Sequence, residues 1–290
     1  MSIKFEFLPH AGEAILITTE EFTALVDGGS SHPFNSSKFK KTKKNIPDIN
    51  IALITHIDHD HINGILKLLS DKNFTSKLKF LIFNEPKEAV IFTENIDSNL
   101  ASAPQANLVS TYIRNLPHIE HINSFHTKTD TSKLLPNIKN SKITILSPTY
   151  QVLYELNRDW KLKHPDKDRR SATEHNRDGS IELLAQLPFE PDKSLPNKSS
   201  IAFIIEHNKR SFLLLGDAHI DKITAELKSL KEMGQHNLKF DFIKLSHHGS
   251  KHNINEEFID MVNTNNYIIC RNSSSSTSFT LPDRETIAKM

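Results

Sequence analysis

The chain has 290 residues, a formal net charge of +1, and 37% hydrophobic and 24% charged residues. That balance suits a globular protein with a real core and gives no global field for nucleic acid or membrane, so any attraction for a polyanion has to be local. The single cysteine, Cys270, excludes an intramolecular disulfide and suits a reducing compartment, and no apolar run is long enough to predict a membrane span.

Residues 3–8 alternate as a strand does and lack the apolar region of a signal peptide, so a cytoplasmic location is expected. Ala14–Thr18 and Thr23–Val26 read as the next two strands. Asp27-Gly28-Gly29 closes the third with a sharp turn, and Asp27 is either a turn former or an acceptor that reaches a neighbouring metal ligand. In the polar loop 30–48, Lys38, Lys40, Lys41, Lys43 and Lys44 form a local basic patch, readable as a solvated loop or as an arm that tracks phosphates.

Ile51–Ile54 is a short apolar run expected of a buried strand, and Ile62, Ile65, Leu66 and Leu69 recur at helical spacing. Between them lies Thr55-His56-Ile57-Asp58-His59-Asp60-His61. Its imidazoles and carboxylates are the groups that hold divalent metals, and a strand-to-helix loop lets them converge on one point.

Leu78–Phe83 predicts a strand, and Pro86 to about Leu116 is weakly helical. His118–Lys142 reads as a polar loop whose His118, His121 and His126 belong to surface or packing. Ile143–Leu146 predicts a strand and Tyr150–Trp160 a helix. Residues 161–180 are strongly charged, with Lys161, Lys163, Lys167, Arg169, Arg170 and Arg177, and read as a loop or substrate-facing insertion. Ile181–Leu187 reads as a short strand. Ile201–Glu206 and Ser211–Leu215 form a hairpin ended by Gly216-Asp217, and a helix follows to about Met233. Phe240–Leu245 is a strand that ends in Ser246-His247-His248-Gly249-Ser250. A helix near Asn255–Val262, a strand Tyr267–Cys270 and a helix opened by Pro282 complete the chain. Strands and helices interleave with hairpins rather than regular βαβ units, which predicts mixed sheets with helices outside, in one domain over 1–290.

Three polar clusters, His56–His61, Gly216-Asp217 and His247-His248, each follow an apolar strand. Strand ends can converge on one cleft, and a binuclear metal site is the economical reading of the three together. With these residues in hand, the chain resembles the metallo-β-lactamase superfamily, whose first motif runs His-x-His-x-Asp-His after a Thr or Ser. Here Asp58 stands where that motif has its second His. The Asp variant resembles the hydrolase domain of the competence DNA-uptake protein ComEC and its free-standing relatives. Asp27-Gly28-Gly29, Leu215-Gly216-Asp217-Ala218, Leu245–Ser250 and Pro282-Asp283-Arg284-Glu285-Thr286 also match that branch.

The resemblance implies an αββα sandwich, with two mixed sheets face to face and helices outside. It implies one metal held by His56 and Asp58 and another by Asp60, His61 and a histidine of the His247-His248 pair, with Asp217 bridging. His247 is favoured as the ligand, which leaves His248 to meet substrate or leaving group; Asp60 would help orient the attacking water, and His59 should point away. Many superfamily members carry a further His ahead of the hairpin; here Asn197 is the nearest replacement, and Leu281 stands where relatives have His. One nitrogen among oxygens at the first position leans toward Mn²⁺ or Mg²⁺, while the family points to Zn²⁺.

The leading expectation is a metal-dependent phosphodiesterase, a nuclease that hydrolyses DNA or RNA with a metal-activated water. The basic stretches 38–44 and 161–177 would contact the phosphate backbone. A hydrolase of small esters, lactones or phosphoesters is the alternative. A third reading is an effector subunit with protein partners in a multi-component bacterial defence system. No membrane partner is expected.

Overall fold

The computed structural model describes residues 2–8, 12–34, 47–85, 103–134, 138, 140–162, 180–270 and 281–290. The basic patch 38–44 and residues 163–179 of the charged segment lie outside the described residues.

The first sheet carries β1 (Lys4–Phe7), β2 (Ile15–Thr18), β3 (Thr23–Val26), β4 (Ile51–Ile54), β5 (Phe80–Phe83) and β6 (Glu120–Ile122), side by side in that order. Its first three strands are antiparallel and its last pairings parallel. The second sheet has the order β11 (Tyr267–Ile268), β10 (Phe242–Lys244), β9 (Arg210–Leu214), β8 (Ala202–His207) and β7 (Ser141–Ser147). Here the hairpin strands are antiparallel and β9, β10 and β11 run parallel. Both sheets are therefore mixed.

Alternation of side chains builds three buried layers. Ile51 and Leu53 of β4 face the second sheet, where Phe203, Ile205, Phe212 and Leu214 meet them. Ala52 and Ile54 of the same strand face outward onto Ile62, Ile65, Leu66 and Leu69 of the helix His59–Leu69. On the far side, Ile204, Leu213 and Ile243 pack against Ile220, Ile223 and Leu227 of the helix Ile220–Glu232. Each large aliphatic side chain buried this way contributes about 1.5–3 kcal/mol. Helix, sheet, sheet and helix follow in order, the αββα arrangement that the resemblance implied.

Two expectations are corrected. Ile181–Leu187 is not a strand: Ile181–Ala185 is a short helix, with the Ser180 side chain accepting a hydrogen bond from Leu183 N. The polar stretch His118–Lys142 holds the strand β6 and the helix Thr131–Leu134 rather than loop alone. β6 escapes a search for apolar runs because parallel pairing to β5 supplies what Glu120 and His121 do not. Among the described residues, no helix is long and apolar enough to cross a membrane.

Candidate metal centre

β4 delivers the first ligand loop, and the turn after β3 fixes it. Asp27 adopts a left-handed conformation, φ 57°, and accepts hydrogen bonds from Thr55 N and Thr55 Oγ1, both at 2.8 Å. Gly28 N donates to His61 O and Gly64 N to Gly29 O, which seats the helix His59–Leu69 on the glycine turn. Contact is so close that a Cβ on Gly64 would stand 1.8 Å from Gly28 O, and one on Gly28 would stand 2.2 Å from Ile65 N. Only glycine fits at either position.

The second cluster follows β9. Gly216, at φ 50°, turns the chain so that Asp217 N reaches Ser200 Oγ at 3.0 Å. The third follows β10. His247 and His248 both adopt left-handed backbone, φ 47° and 53°, ahead of Gly249 at φ 80°. Two such non-glycine residues in a row cost on the order of 1–3 kcal/mol each, strain that tends to gather at functional sites. The turn is braced by His247 N donating to Gly216 O and by Asp283, whose backbone N donates to Gly249 O and whose Oδ2 accepts from Lys251 N.

At the centre each imidazole is held through Nδ1 and presents Nε2. His61 Nδ1 donates to Asp27 Oδ2 at 2.8 Å, and His248 Nδ1 to Cys270 O at 2.7 Å. His56 Nδ1 is 3.1 Å from Thr55 Oγ1 and 3.4 Å from Ser200 Oγ. His247 Nδ1 is 3.1 Å from Asn253 Oδ1 and 3.5 Å from Asp192 Oδ2. Anchoring one ring nitrogen by an outer partner fixes the tautomer and aims the other at a cation.

The Nε2 atoms converge on carboxylates. His56 Nε2 is 3.4 Å from Asp58 Oδ2 and 3.9 Å from Asp217 Oδ2, and His247 Nε2 is 3.9 Å from the same oxygen. His61 Nε2 is 3.4 Å from Asp217 Oδ1, and His248 Nε2 is 3.0 Å from Asp60 Oδ2. Most of these spacings are long for a hydrogen bond but near the roughly 3.4 Å expected between two ligands of one tetrahedral cation. His56 Nε2, His61 Nε2 and Asp217 Oδ1 are buried with no hydrogen-bond partner among the described residues. Leaving such atoms unsatisfied costs about 1–3 kcal/mol each, whereas a divalent cation would satisfy all three. The residues present therefore fit the metals that the resemblance implied.

Protons fill part of that role when cations do not. Burial disfavours a charge on His61, yet Asp217 and Asp27 outweigh it and hold the imidazole well above its usual pKa. His247 is likewise disfavoured by burial but lifted to about 9, chiefly by Asp217 and Asp192. Burial would raise the Asp60 and Asp217 carboxyls; the neighbouring imidazoles pull both below the usual carboxylate range instead. The cluster thus demands positive charge.

The expected residues come together with one rearrangement. His56, Asp58, Asp60, His61 and Asp217 lie together, Asp27 sits behind His61, and His59 is exposed. The expected grouping of His247 with Asp60 and His61 is not what the turn produces. Its left-handed backbone sends His248 to Asp60, buried rather than free for substrate, and His247 toward Asp217 Oδ2. Asn197 lies behind His247, its Nδ2 3.4 Å from Nδ1, not on the ring's open side.

Sequence reasoning missed Glu13, Lys244, Asp192 and Asn253. Ligand atoms of Glu13, His61, Asp217 and His248 all lie within 4.8 Å of one another. Lys244 is fully buried and donates to Glu13 Oε1 and to Gly216 O, tying the start of β2 and the Asp217 turn to β10. Its signal was legible: a lysine inside the apolar run Phe242–Leu245, and a lone glutamate between Gly12 and the apolar Ala14–Ile17. Asp192 and Asn253 carried no comparable mark.

Residues 8–92 match the sequence model of the metallo-beta-lactamase superfamily. Among solved structures, CmlA, a diiron beta-hydroxylase from Streptomyces venezuelae, is similar at TM-score 0.41 and 14% identity, over 84% of this chain and 34% of that one. The metallo-beta-lactamase fold protein YhfI from Bacillus subtilis is similar at 0.39 and 12%, over 81% and 63%. AidC, a dizinc quorum-quenching lactonase, is similar at 0.37 and 13%, over 77% and 69%. The chain thus spans about a third of the length of CmlA and less than two thirds of YhfI. No curated protein matches it. The segment that matches the superfamily's sequence model contains the first ligand loop, His56–His61, and the Asp27-Gly28-Gly29 turn that seats it.

Proposed function

We propose that the chain is a binuclear metal-dependent phosphodiesterase that acts on nucleic acid. One observation carries the metal-dependent part: the partnerless Nε2 atoms of His56 and His61 and Oδ1 of Asp217, buried and facing one another. His56 and Asp58 would hold one cation, Asp60 and His61 the other, with Asp217 between them and the His247-His248 pair completing the set. When bound, such cations lower the pKa of a water and polarise the scissile bond.

The chain's own residues form a bowl. His56, His61 and Asp217 make its buried floor, while Asp58, Asp60 and His247 keep side-chain exposures of 19%, 24% and 32%. Substrate would enter from that exposed side. Among the described residues, the serine and cysteine beside the site are both buried: Ser200 Oγ is taken up by Asp217 N, and the Cys270 thiol is pushed up chiefly by burial.

Three features support nucleic acid as the substrate. Asp58 in place of a histidine gives the first position a hard carboxylate ligand, which Mn²⁺ and Mg²⁺ accept readily. The same substitution resembles the ComEC-like branch, which is associated with DNA degradation. The stretches Lys38–Lys44 and 161–177 carry the basic residues a polyanion needs.

Purified full chain should be screened on single- and double-stranded DNA and RNA, and on small esters, lactones and phosphoesters, with Mn²⁺, Mg²⁺ and Zn²⁺. Expected are nucleic-acid cleavage that weakens steeply with salt and its loss in Asp217→Asn. Turnover of small esters or lactones alone would overturn the nuclease reading, and cleavage undiminished in Asp217→Asn would overturn the site.

A further inference from the structure

The adjacent histidines lie on different sides of Asp217. His248 Nε2 is 3.0 Å from Asp60, and its ring is 5.8 Å from that of His61. His247 Nε2 instead approaches Asp217 Oδ2, the oxygen that also faces His56. The cause is local: both residues are left-handed, and the turn swings successive side chains apart.

Behind His247 stands a bracket that the ligand motifs do not include. Asp192 Oδ2 is 3.5 Å from His247 Nδ1 and accepts hydrogen bonds from Asn197 Nδ2 at 2.8 Å and Asn253 Nδ2 at 3.1 Å. Its Oδ1 accepts from Ser194 N at 2.8 Å, and Asp192 N donates to His252 O. The carboxylate is thus fixed from both sides in sequence and from the Asp217 loop, since Asn253 Nδ2 also lies 3.3 Å from Asp217 O. Asp27 holds His61 by a direct hydrogen bond at 2.8 Å, whereas His247 Nδ1 has Asn253 Oδ1 at 3.1 Å with the Asp192 carboxylate beside it. A carboxylate behind an imidazole is how ligating histidines are oriented.

We propose that the His247-His248 pair is divided between the two metal positions. His247 supplies the nitrogen that the first position, with His56 and Asp58, lacks. His248 joins Asp60 and His61 at the second. Asp192 is the positioning residue that holds His247 on the first position. The inference rests on the binuclear reading above, and it replaces the histidine missing ahead of the hairpin with one from the turn after β10.

The test uses the metal-stripped full chain titrated with Co²⁺, read by calorimetric stoichiometry and by the visible absorption of each bound ion. The parent should take up two ions with distinguishable bands. His247→Ala and His56→Ala should remove the same band, and His248→Ala and His61→Ala the other. Asp192→Asn should keep the second band unchanged and weaken the first ion about 10–100-fold. Loss of one common band in His247→Ala and His248→Ala, or an Asp192→Asn titration identical to the parent's, would overturn the division. A parent that binds fewer than two ions would overturn the binuclear reading itself.

Discussion

Lys244→Met is the perturbation whose cost the structure fixes most directly. Lys244 and Glu13 are a buried ion pair, with side-chain exposures of 0% and 2%. Burial pulls the lysine down to about 8, so it is still a cation at neutral pH. Among the described residues Glu13 Oε2 has no hydrogen-bond partner, and Oε1 accepts from Lys244. Removing the cation strands a buried carboxylate and also frees Gly216 O, the carbonyl just before Asp217. Breaking a buried pair from one side costs about 3–5 kcal/mol, a large share of a typical 5–15 kcal/mol stability. Glu13→Gln in the same chain removes the stranded charge and should recover most of that loss. Urea unfolding of parent, both single variants and the double variant, all metal-free so that bound ions do not add stability, gives the coupling directly. A Lys244→Met cost below about 1 kcal/mol, or a double variant no more stable than the worse single, would refute the reasoning.

Gly64→Ala should destabilise the chain by at least the roughly 1–3 kcal/mol of overpacking, because its Cβ would meet Gly28 O; the same unfolding assay would register it, alongside reduced metal uptake as the ligand helix lifts. Thr55→Val should cost about 1–3 kcal/mol, since it removes one of the hydrogen bonds that hold Asp27 behind His61. A thermal-unfolding series over pH should separate metal-free from metal-loaded protein. His61 and His247 are raised in the folded state, so their contribution is complete below the unfolded imidazole value of about 6.5 and is lost as pH rises. The metal-free protein should therefore lose stability as pH climbs through about 9, where His247 titrates. The lowered Asp60 and Asp217 act oppositely: their contribution stands above the usual carboxylate range and is lost on acidification. Cations in place of protons should flatten the alkaline limb of the loaded form, and identical alkaline profiles would count against the cluster's charge demand.

What was legible in the sequence was whatever local spacing encodes. The run His56–His61 on a strand-to-helix loop, Asp217 after a glycine, and a histidine pair after a strand each announce a ligand cluster, and the unbroken apolar run of β4 announces a buried strand. What was not legible depends on contacts between distant segments. Asp192 sits in a stretch with no motif and gains its role only because Asn197, Asn253 and His247 fold around it. The separate aims of His247 and His248 follow from two left-handed residues, which a sequence lacking glycine there does not advertise. Ile181–Ala185 shows the limit for short apolar runs, where the Ser180 cap and packing against the helix Arg284–Lys289 decide for helix.

The central claim is that the clustered imidazoles and carboxylates hold two divalent cations. Its most direct measurement is the metal content of the full chain after reconstitution with Mn²⁺ or Zn²⁺ and removal of the excess, by mass spectrometry. Two ions per chain in the parent, and fewer than one in Asp217→Asn, are predicted. A parent that retains none, or an Asp217→Asn chain that still retains two, would contradict it.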